Sequence, residues 1–369
     1  MAVVVVDARN NASLMFIEGT HKGALYLLKE NVMEPQVWKV VREIKRYLDL
    51  DACYLLAVSG GADSLAMADA MTLIFAGKLD RLKICHVEHG IRGDEAVRDA
   101  KAVEQFALAR GVSFVCCHVD VPSYAKAEGL TLEEAARKLR YAKLVAEAQA
   151  FGAKVIVTAH QADDQAETVL WKLLRGAGSE GLSGMRINSR LGELTLLRPL
   201  LSLTRKDMEA YCQTRNIVYC TDSTNEDTHY TRNRIRNELL PYLEKEYNPA
   251  LRLVLVREAE ILAEEEKALS FCAEKYLQDA SFCGIVKLEE LGEAHWVNAQ
   301  RLGELPAALR KRILRALFFA RGGKELSYER TQALDKLCLA GTGGKKVQLG
   351  EGLEALYKKH KIFIYKGEN

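Results

Sequence analysis

Residues 54–67 read YLLAVSGGADSLAM, and the fold turns on this stretch. The apolar run 54–58 fits a buried strand, which stops at Ser59-Gly60-Gly61; helix-forming residues resume from Ser64. Two glycines let the backbone turn sharply and bring bare N–H groups close to a ligand. The helix start that follows adds unpaired donors and a partial positive charge, so the turn is a cradle for a pyrophosphate. Asp63, at the mouth of that helix, repels a phosphate unless a cation lies between them, which implies Mg²⁺. A Walker loop is excluded, because no Gly-Lys-Ser/Thr follows, and so is the dinucleotide fingerprint, because Gly-x-Gly-x-x-Gly is missing.

From residue 51 to about 159, strand and helix patterns alternate around this turn. Apolar runs at 53–58, 82–87, 112–119 and 154–159 read as strands, and 64–76, 94–110, 131–151 and 163–175 as helices. Such alternation predicts an α/β fold, a parallel sheet wrapped by helices with its ligands at the strand C-terminal ends. Further on, Thr204 caps a helix ending near Asn216, and Asp222-Ser-Thr-Asn225 is a cluster of cap and turn residues before a helix at 232–247. A long helix with an acidic face is expected over 258–278, then a boundary near 280–300. The last stretch reads as helices at 306–319 and 327–340 and short strands near 346–349 and 361–365, a small α+β domain. Upstream, Met33-Glu-Pro opens an amphipathic helix with Val37, Val40, Val41, Ile44 and Leu48 at helical spacing. Residues 1–32 lack sustained periodicity and read as a poorly defined leader, with Met33 near the functional start. The expected domains are therefore 1–32, a catalytic domain at 33–217, a helical connecting and RNA-contacting region at 218–299, and a basic domain at 300–369.

The chain's 369 residues suffice for two or three domains and a sizeable core. No apolar stretch approaches the roughly 20 residues of a membrane span, and the start lacks the basic n-region of a secretory signal. Nine cysteines are scattered without a Cys-x-x-Cys pair, which argues against a zinc site and fits reduced thiols in a cytoplasmic protein. The net charge is +2, but residues 301–369 hold 15 Lys/Arg against 7 Asp/Glu, a net of +8 that leaves −6 for the remainder. A basic segment beside a near-neutral body suggests a polyanionic partner.

Four further constellations carry chemistry. In TAHQADDQAET (158–168), Asp163, Asp164 and Glu167 place three carboxylates within one helical turn, and Asp164 and Glu167 share a face. With His160 before them, they face the sheet edge that carries the glycine turn. Helix capping explains acids at a helix start, but Mg²⁺ and an amine substrate explain the whole set better. In ICHVEHGIRGDEA (84–96), His86 and His89 at a strand end read as nucleotide contacts, or as structural. In TLEEAARKLRY (131–141), Glu134, Arg137, Arg140 and Tyr141 either neutralise a leaving phosphate or form a salt-bridged helix face. In DSTNEDTHYTRNRIRNELLP (222–241), Arg232, Arg234 and Arg236 interleave with asparagines, and Arg232 and Arg236 share a helix face; this is a phosphate-backbone grip or an ordinary charged helix.

The pattern Ser-Gly-Gly-x-Asp-Ser (59–64) resembles the signature of the PP-loop ATP pyrophosphatases, which have a Rossmann-like fold and split ATP to AMP and pyrophosphate. Taken in order, the blocks resemble the bacterial tRNA(Ile)-lysidine synthetase family. The likeness runs through His86-Val-Glu-His-Gly, the 134–141 block, 160–167, Leu173-Leu-Arg-Gly176, Gly181-Leu-Ser-Gly-Met185, Leu197-Arg-Pro199, the blocks at Asp222 and Arg232, LPAALRKRILRALF (305–318) and Lys346-Val-Gln-Leu349, covering about residues 33–369. The resemblance implies a two-step ligation. ATP adenylates the C2 carbonyl oxygen of the wobble cytidine in the isoleucine tRNA with a CAU anticodon; free L-lysine then attacks C2 and expels AMP. It implies ATP binding by Ser59, Gly60, Gly61, Ala62, Asp63, Ser64, His86 and His160. It implies catalytic roles for Asp63, Arg140, Asp164 and Glu167, metal binding by Asp63 and Asp164, and tRNA contacts from Arg232, Arg234 and Arg236. A homodimer stays open. Some members carry a further C-terminal domain, which this chain is expected to end before.

Two other PP-loop readings compete. Enzymes that thiolate tRNA usually need cysteine pairs, and small-molecule amide ligases need neither the basic tail nor the Arg-Asn helix. A catalytically silent RNA-binding module is a different class. It has no reason to concentrate uncompensated acids at 63, 164 and 167 beside a phosphate loop.

Overall fold

Parallel strands cannot be joined by a tight turn, so each needs a helical crossover, and the chain alternates accordingly. The computed structural model describes residues 2–7, 12–17, 33–90, 93–220 and 231–367. The chain divides into two compact units, residues 1–260 and 261–369.

At the start, β1 (Ala2–Asp7) and β2 (Ala12–Ile17) pair antiparallel, Ala2 opposite Ile17. The rest of the expected leader, 8–11 and 18–32, lies outside the described residues. Helix α1 (Pro35–Lys45), with a proline in its first turn, buries Val37, Val40, Val41 and Ile44 as its spacing predicts. Then come β3 (Tyr54–Ala57), α2 (Ala62–Ile74), β4 (Leu82–Glu88), α3 (Asp94–Ala109), β5 (Ser113–His118), α4 (Val121–Glu128), α5 (Leu132–Phe151), β6 (Val155–Val157), α6 (Ala162–Leu174), α7 (Ser179–Leu182), β7 (Asn188–Leu191), β8 (Leu194–Leu197) and α8 (Arg205–Thr214). The strands lie in the order β5-β4-β3-β6-β8-β7, parallel except for β7 at the edge. The hairpin that supplies β7 and β8 is the part of this sheet that sequence periodicity did not reveal. Its strands have four residues each, too few for a clear period.

Alternation through β3 sends Tyr54 and Leu56 to one face and Leu55 to the other. The first face packs on α1, α2, α3 and α8 through Val41, Met67, Met71, Val103 and Tyr211. The second packs on α5 through Leu144 and Ala148. Strand order grows outward from β3 through β4 to β5, then jumps back so that β6 lies against the other side of β3. That reversal is a topological switch point, where the loops leaving β3 and β6 part and open a crevice.

Beyond the sheet, α9 (Thr231–Arg234), a π-helical segment Ile235–Leu239 and α10 (Leu240–Glu246) form one continuous run, broader at its middle than the plain helix expected over 232–247. It packs on α6 through Leu170, Ile235 and Leu240. The Asp222–Asn225 turn cluster lies outside the described residues. Helix α11 (Leu251–Leu277) follows.

In the second unit, β9 (Cys283–Leu288), β10 (Gly292–Asn298), β11 (Lys346–Gly350), β12 (Leu353–Lys358) and β13 (Lys361–Lys366) form an antiparallel sheet, in the order β11-β12-β13-β10-β9. Helices α12 (Ala299–Gly303), α13 (Ala307–Ala320) and α14 (Tyr328–Ala340) cover one face over a core that includes Phe282, Ile313, Phe318, Leu334 and Ile362. Because β10 pairs with β13, the domain boundary expected at residue 300 passes through this sheet. A buried fork of Arg310 onto Asp335, Nε–Oδ1 2.5 Å and Nη2–Oδ2 3.1 Å, ties α13 to α14.

Candidate functional site

The turn after β3 opens α2 on Gly61, which gives no side-chain cap, so the first-turn N–H groups point outward without intrahelical partners. Gly60 has φ +96°, and a Cβ there would come within 3.3 Å of Val103 Cγ2; backbone angle and space both select glycine. The loop is braced from inside. Ser64 Oγ accepts from the N–H groups of Ser59 and Gly60, both at 3.2 Å, and donates to Gly61 O at 2.9 Å. Behind it, His86 Nδ1 lies 2.9 Å from Val58 O. A carbonyl can only accept, so Nδ1 carries the proton.

A cavity of about 470 Å³ opens here, at the switch point, lined among others by Ser59, Gly61, Ala62, Asp63, Ser64, His89, Arg140, His160, Asp164, Arg232 and Arg236. Most of the residues singled out in the sequence therefore meet in one place. His86 supports the strand end from beneath, and His89 of the same loop reaches the wall. Arg234 is exposed and faces Glu238 at 4.0 Å. Glu134 closes a capping box with Thr131, so in its block the structural reading holds for the glutamate, while Arg140 reaches the cavity.

The carboxylates divide into two kinds. Glu167, with no exposed side-chain surface, receives Arg232 Nε at 3.0 Å and Arg236 Nε at 2.5 Å. Asp164 Oδ1 receives Nη2 of the same two arginines at 3.1 and 2.9 Å, and its Oδ2 caps α6 at Gln161 N, 3.1 Å. Asp163 is held by Arg205 N at 3.0 Å and Arg252 Nη1 at 3.1 Å. Burial works against the charge of Arg236, but its bonds to Glu167 outweigh that and raise its pKa. Asp63 differs: its Oδ1 is buried without a hydrogen-bond partner. Burial first, then the nearby charge of Asp164, pushes its carboxyl up to about 7. The expectation of uncompensated acids thus holds for Asp63 and fails for Asp164 and Glu167. His160 bonds Thr158 Oγ1 through Nδ1 at 3.0 Å; burial and the guanidinium groups of Arg140, Arg198, Arg232 and Arg137 drive its pKa well down, so it is neutral.

The residues present fit a divalent cation at one point, the open oxygen of Asp63, with Asp164 beside it in the cavity wall. Among the described residues no group of three or more His, Cys, Asp or Glu is placed to hold a metal ion. Sequence reading missed Arg205, Arg252, Asp99 and Tyr219. They come from distant elements and carry no local pattern that would single them out.

A second buried network lies behind α2. Asp69 accepts from Arg110 Nε at 2.6 Å, Arg215 Nε at 2.9 Å and Tyr211 Oη at 2.8 Å. Burial opposes its charge, but the two arginines win and lower its pKa. This cluster joins α2 to α8 and to the end of α3 and does not line the cavity.

Comparison with known proteins places this geometry. A family model described as a PP-loop domain matches residues 33–243, and one described as the TilS substrate binding domain matches residues 298–365. A tRNA(Ile)-lysidine synthase of Geobacter sulfurreducens is 38% identical over 299 residues, 80% of this chain and 61% of the relative, so the chain spans less than two thirds of that relative's length. One from Nostoc sp. is 33% identical over 326 residues, 85% of this chain and 91% of the relative, and one from Caldanaerobacter subterraneus is 33% identical over 89% and 68%. Among solved structures, the U34-tRNA thiolase NcsA of Methanococcus maripaludis superposes with a TM-score of 0.52 at 17% identity, over 62% of this chain and 80% of that one; this shows a shared fold. No described helix is long and apolar enough to cross a membrane.

Proposed function

This chain belongs to the tRNA(Ile)-lysidine synthase family, and from that premise we propose that it uses ATP to join lysine to C2 of the wobble cytidine in the CAU-anticodon isoleucine tRNA, releasing AMP and pyrophosphate. The observation that carries the reading is Asp63: a buried carboxylate oxygen without a partner, at the mouth of a helix whose N–H groups suit phosphates, in the same cavity as Arg140, His160 and Asp164.

The chemistry follows from the parts. A cytosine C2 carbonyl is a poor electrophile, and adenylation turns its oxygen into a leaving group. The β3–α2 turn holds the phosphates on backbone N–H groups. Among the described residues no carboxylate pairs with Arg140, so its guanidinium is available to the charge that grows on the α-phosphate. A divalent cation on Asp63 would neutralise phosphate charge that the carboxylate alone repels. Lysine arrives as an ammonium. Asp164 and Glu167 are the acids suited to hold it, and to reach them it must share or displace a guanidinium of Arg232 or Arg236. Neutral His160 adds a polar contact to the cavity without adding charge, and the proton that the ammonium sheds leaves through the carboxylates that hold it.

Asp63→Asn tests the reading. AMP release with tRNA, lysine and Mg-ATP should fall at least a hundredfold while the fold persists; near-normal release from a folded variant overturns it. Assaying AMP release with and without tRNA separates this reading from a small-molecule ligase, which would not need the RNA.

A further inference from the structure

Arg198, just beyond β8, is 7% exposed. Its Nη1 donates to Arg186 O at 2.9 Å and to Ser189 Oγ at 3.0 Å, but its Nε is buried without a hydrogen bond. Among the described residues no carboxylate balances it; the Tyr141 hydroxyl faces it as a hydrogen-bond partner, and the guanidinium of Arg137 repels it. Arg137 and Arg140, one turn apart on α5, lie 5.2 and 5.1 Å from the Tyr141 ring. On the adjoining strand end, His160 is surrounded by Arg140, Arg198, Arg232 and Arg137, with no carboxylate among its main influences. Of these four arginines only Arg232 belongs to an ion pair among the described residues.

The rest of the unit makes the contrast sharp. Arg110 and Arg215 close on Asp69, Arg232 and Arg236 on Asp164 and Glu167, and Arg252 on Asp163 and Glu244. A buried cation is costly unless an anion pairs with it. Where the fold supplies none, a bound ligand can. Arg140 and His160, which stand beside Arg198 and Arg137, line the cavity, and Arg137 is exposed, so the cluster can be reached from outside.

We propose that Arg137 and Arg198, beside Arg140 and the ends of β6 and β8, form an anion site at the edge of the cavity, and that its occupant is a phosphate of the RNA substrate. The RNA part rests on the function proposed above. The site lies on the side of the sheet that carries β6 and β8, whereas the phosphate-binding turn follows β3. A phosphodiester held there would fix the RNA strand while its base enters the cavity.

The test uses the full chain with Arg137→Gln, at an exposed position, Arg198→Met, Arg137→Lys and Arg198→Lys. Thermal melts first establish that each folds. Binding of tRNA is then measured at several salt concentrations, beside binding of a non-hydrolysable ATP analogue. Expected are a several-fold loss of RNA affinity near 0.1 M salt, a salt slope lower by about one for Arg137→Gln, ATP-analogue affinity within about twofold, and recovery of the slope by lysine. Unchanged RNA affinity and slope in both folded variants overturn the proposal, leaving the cations structural. Equal losses of RNA and nucleotide affinity also overturn it, assigning the cluster to ATP. If the unaltered protein binds no tRNA, the functional reading falls instead, and inorganic phosphate alone tests the cluster. A phosphate-dependent rise in Tm that Arg198→Met loses supports an anion site, and no rise overturns it.

Discussion

At Asp63, burial and charge pull against each other. A carboxyl raised from its ordinary 3.8 to about 7 keeps its proton in the folded state where the unfolded chain has lost it. Stability from this group is therefore full below about pH 4 and declines as pH rises to about 7, by an amount on the order of 4 kcal/mol. Asp63→Asn should remove that decline. Its Tm should exceed that of the unaltered protein at pH 8 and match it near pH 4, while activity is lost. Melts across this range check it; a lower Tm at pH 8 would mean that the carboxylate is well satisfied in the fold. Asp69 is the opposite case, an acid with two guanidinium groups and a tyrosine on it. Asp69→Ala leaves Arg110 and Arg215 without their anion and should cost about 3–5 kcal/mol, read as a lower denaturant midpoint. A shift under about 1 kcal/mol would remove this cluster from the framework that holds α2.

At the scale of elements, the site is made by two helix starts and one clamp. Helix α2 offers open N–H groups to phosphates, while α6 closes its own start with the Gln161–Asp164 box. The clamp is the run 231–239, whose π-helical middle carries Arg236 onto Glu167 and Asp164; such widened turns recur at functional sites. Glu167→Gln keeps the shape but removes the charge under two arginines. It should destabilise the protein by roughly 3 kcal/mol and raise the KM for lysine about tenfold or more, the worth of a charge-assisted hydrogen bond, with less effect on ATP use at saturating lysine. Kinetics with varied lysine on a protein shown to be folded decide it. An unchanged lysine dependence would make Glu167 a residue that only positions the arginines.

For the whole molecule, the excess of positive charge is concentrated in the last part of the second unit, with +8 between residues 301 and 369. A cut at residue 300 would leave β9 and β10 without β13, so the informative truncation ends after Gln278, ahead of the whole antiparallel sheet. If that unit grips tRNA, its loss should weaken binding and flatten the salt dependence, because fewer counterions are displaced. Affinity for an ATP analogue should persist, since the described residues that line the cavity lie between Ala57 and Arg236. Binding measured at three or more salt concentrations distinguishes the outcomes; equal slopes would make the basic unit a solvated surface.

The chain by itself determined the parallel sheet, the phosphate turn and the carboxylates near it. Each is local: apolar runs of six to eight residues, a glycine pair between strand and helix, acids within one helical turn. Periodicity and turn chemistry act over such distances, so they can be read residue by residue. It also offered Arg232 and Arg236, as a grip on RNA phosphates or as a charged helix. Only the tertiary structure decided that these cations close on Asp164 and Glu167, that Asp63 keeps the open oxygen, and that Arg198 is buried without an anion. Charge compensation depends on which side chains lie within about 4 Å in space, and here the partners are about 70 residues apart along the chain. The strand order that opens the cavity between β3 and β6 is likewise a matter of which strands meet, and the edge hairpin β7–β8 is too short to announce itself.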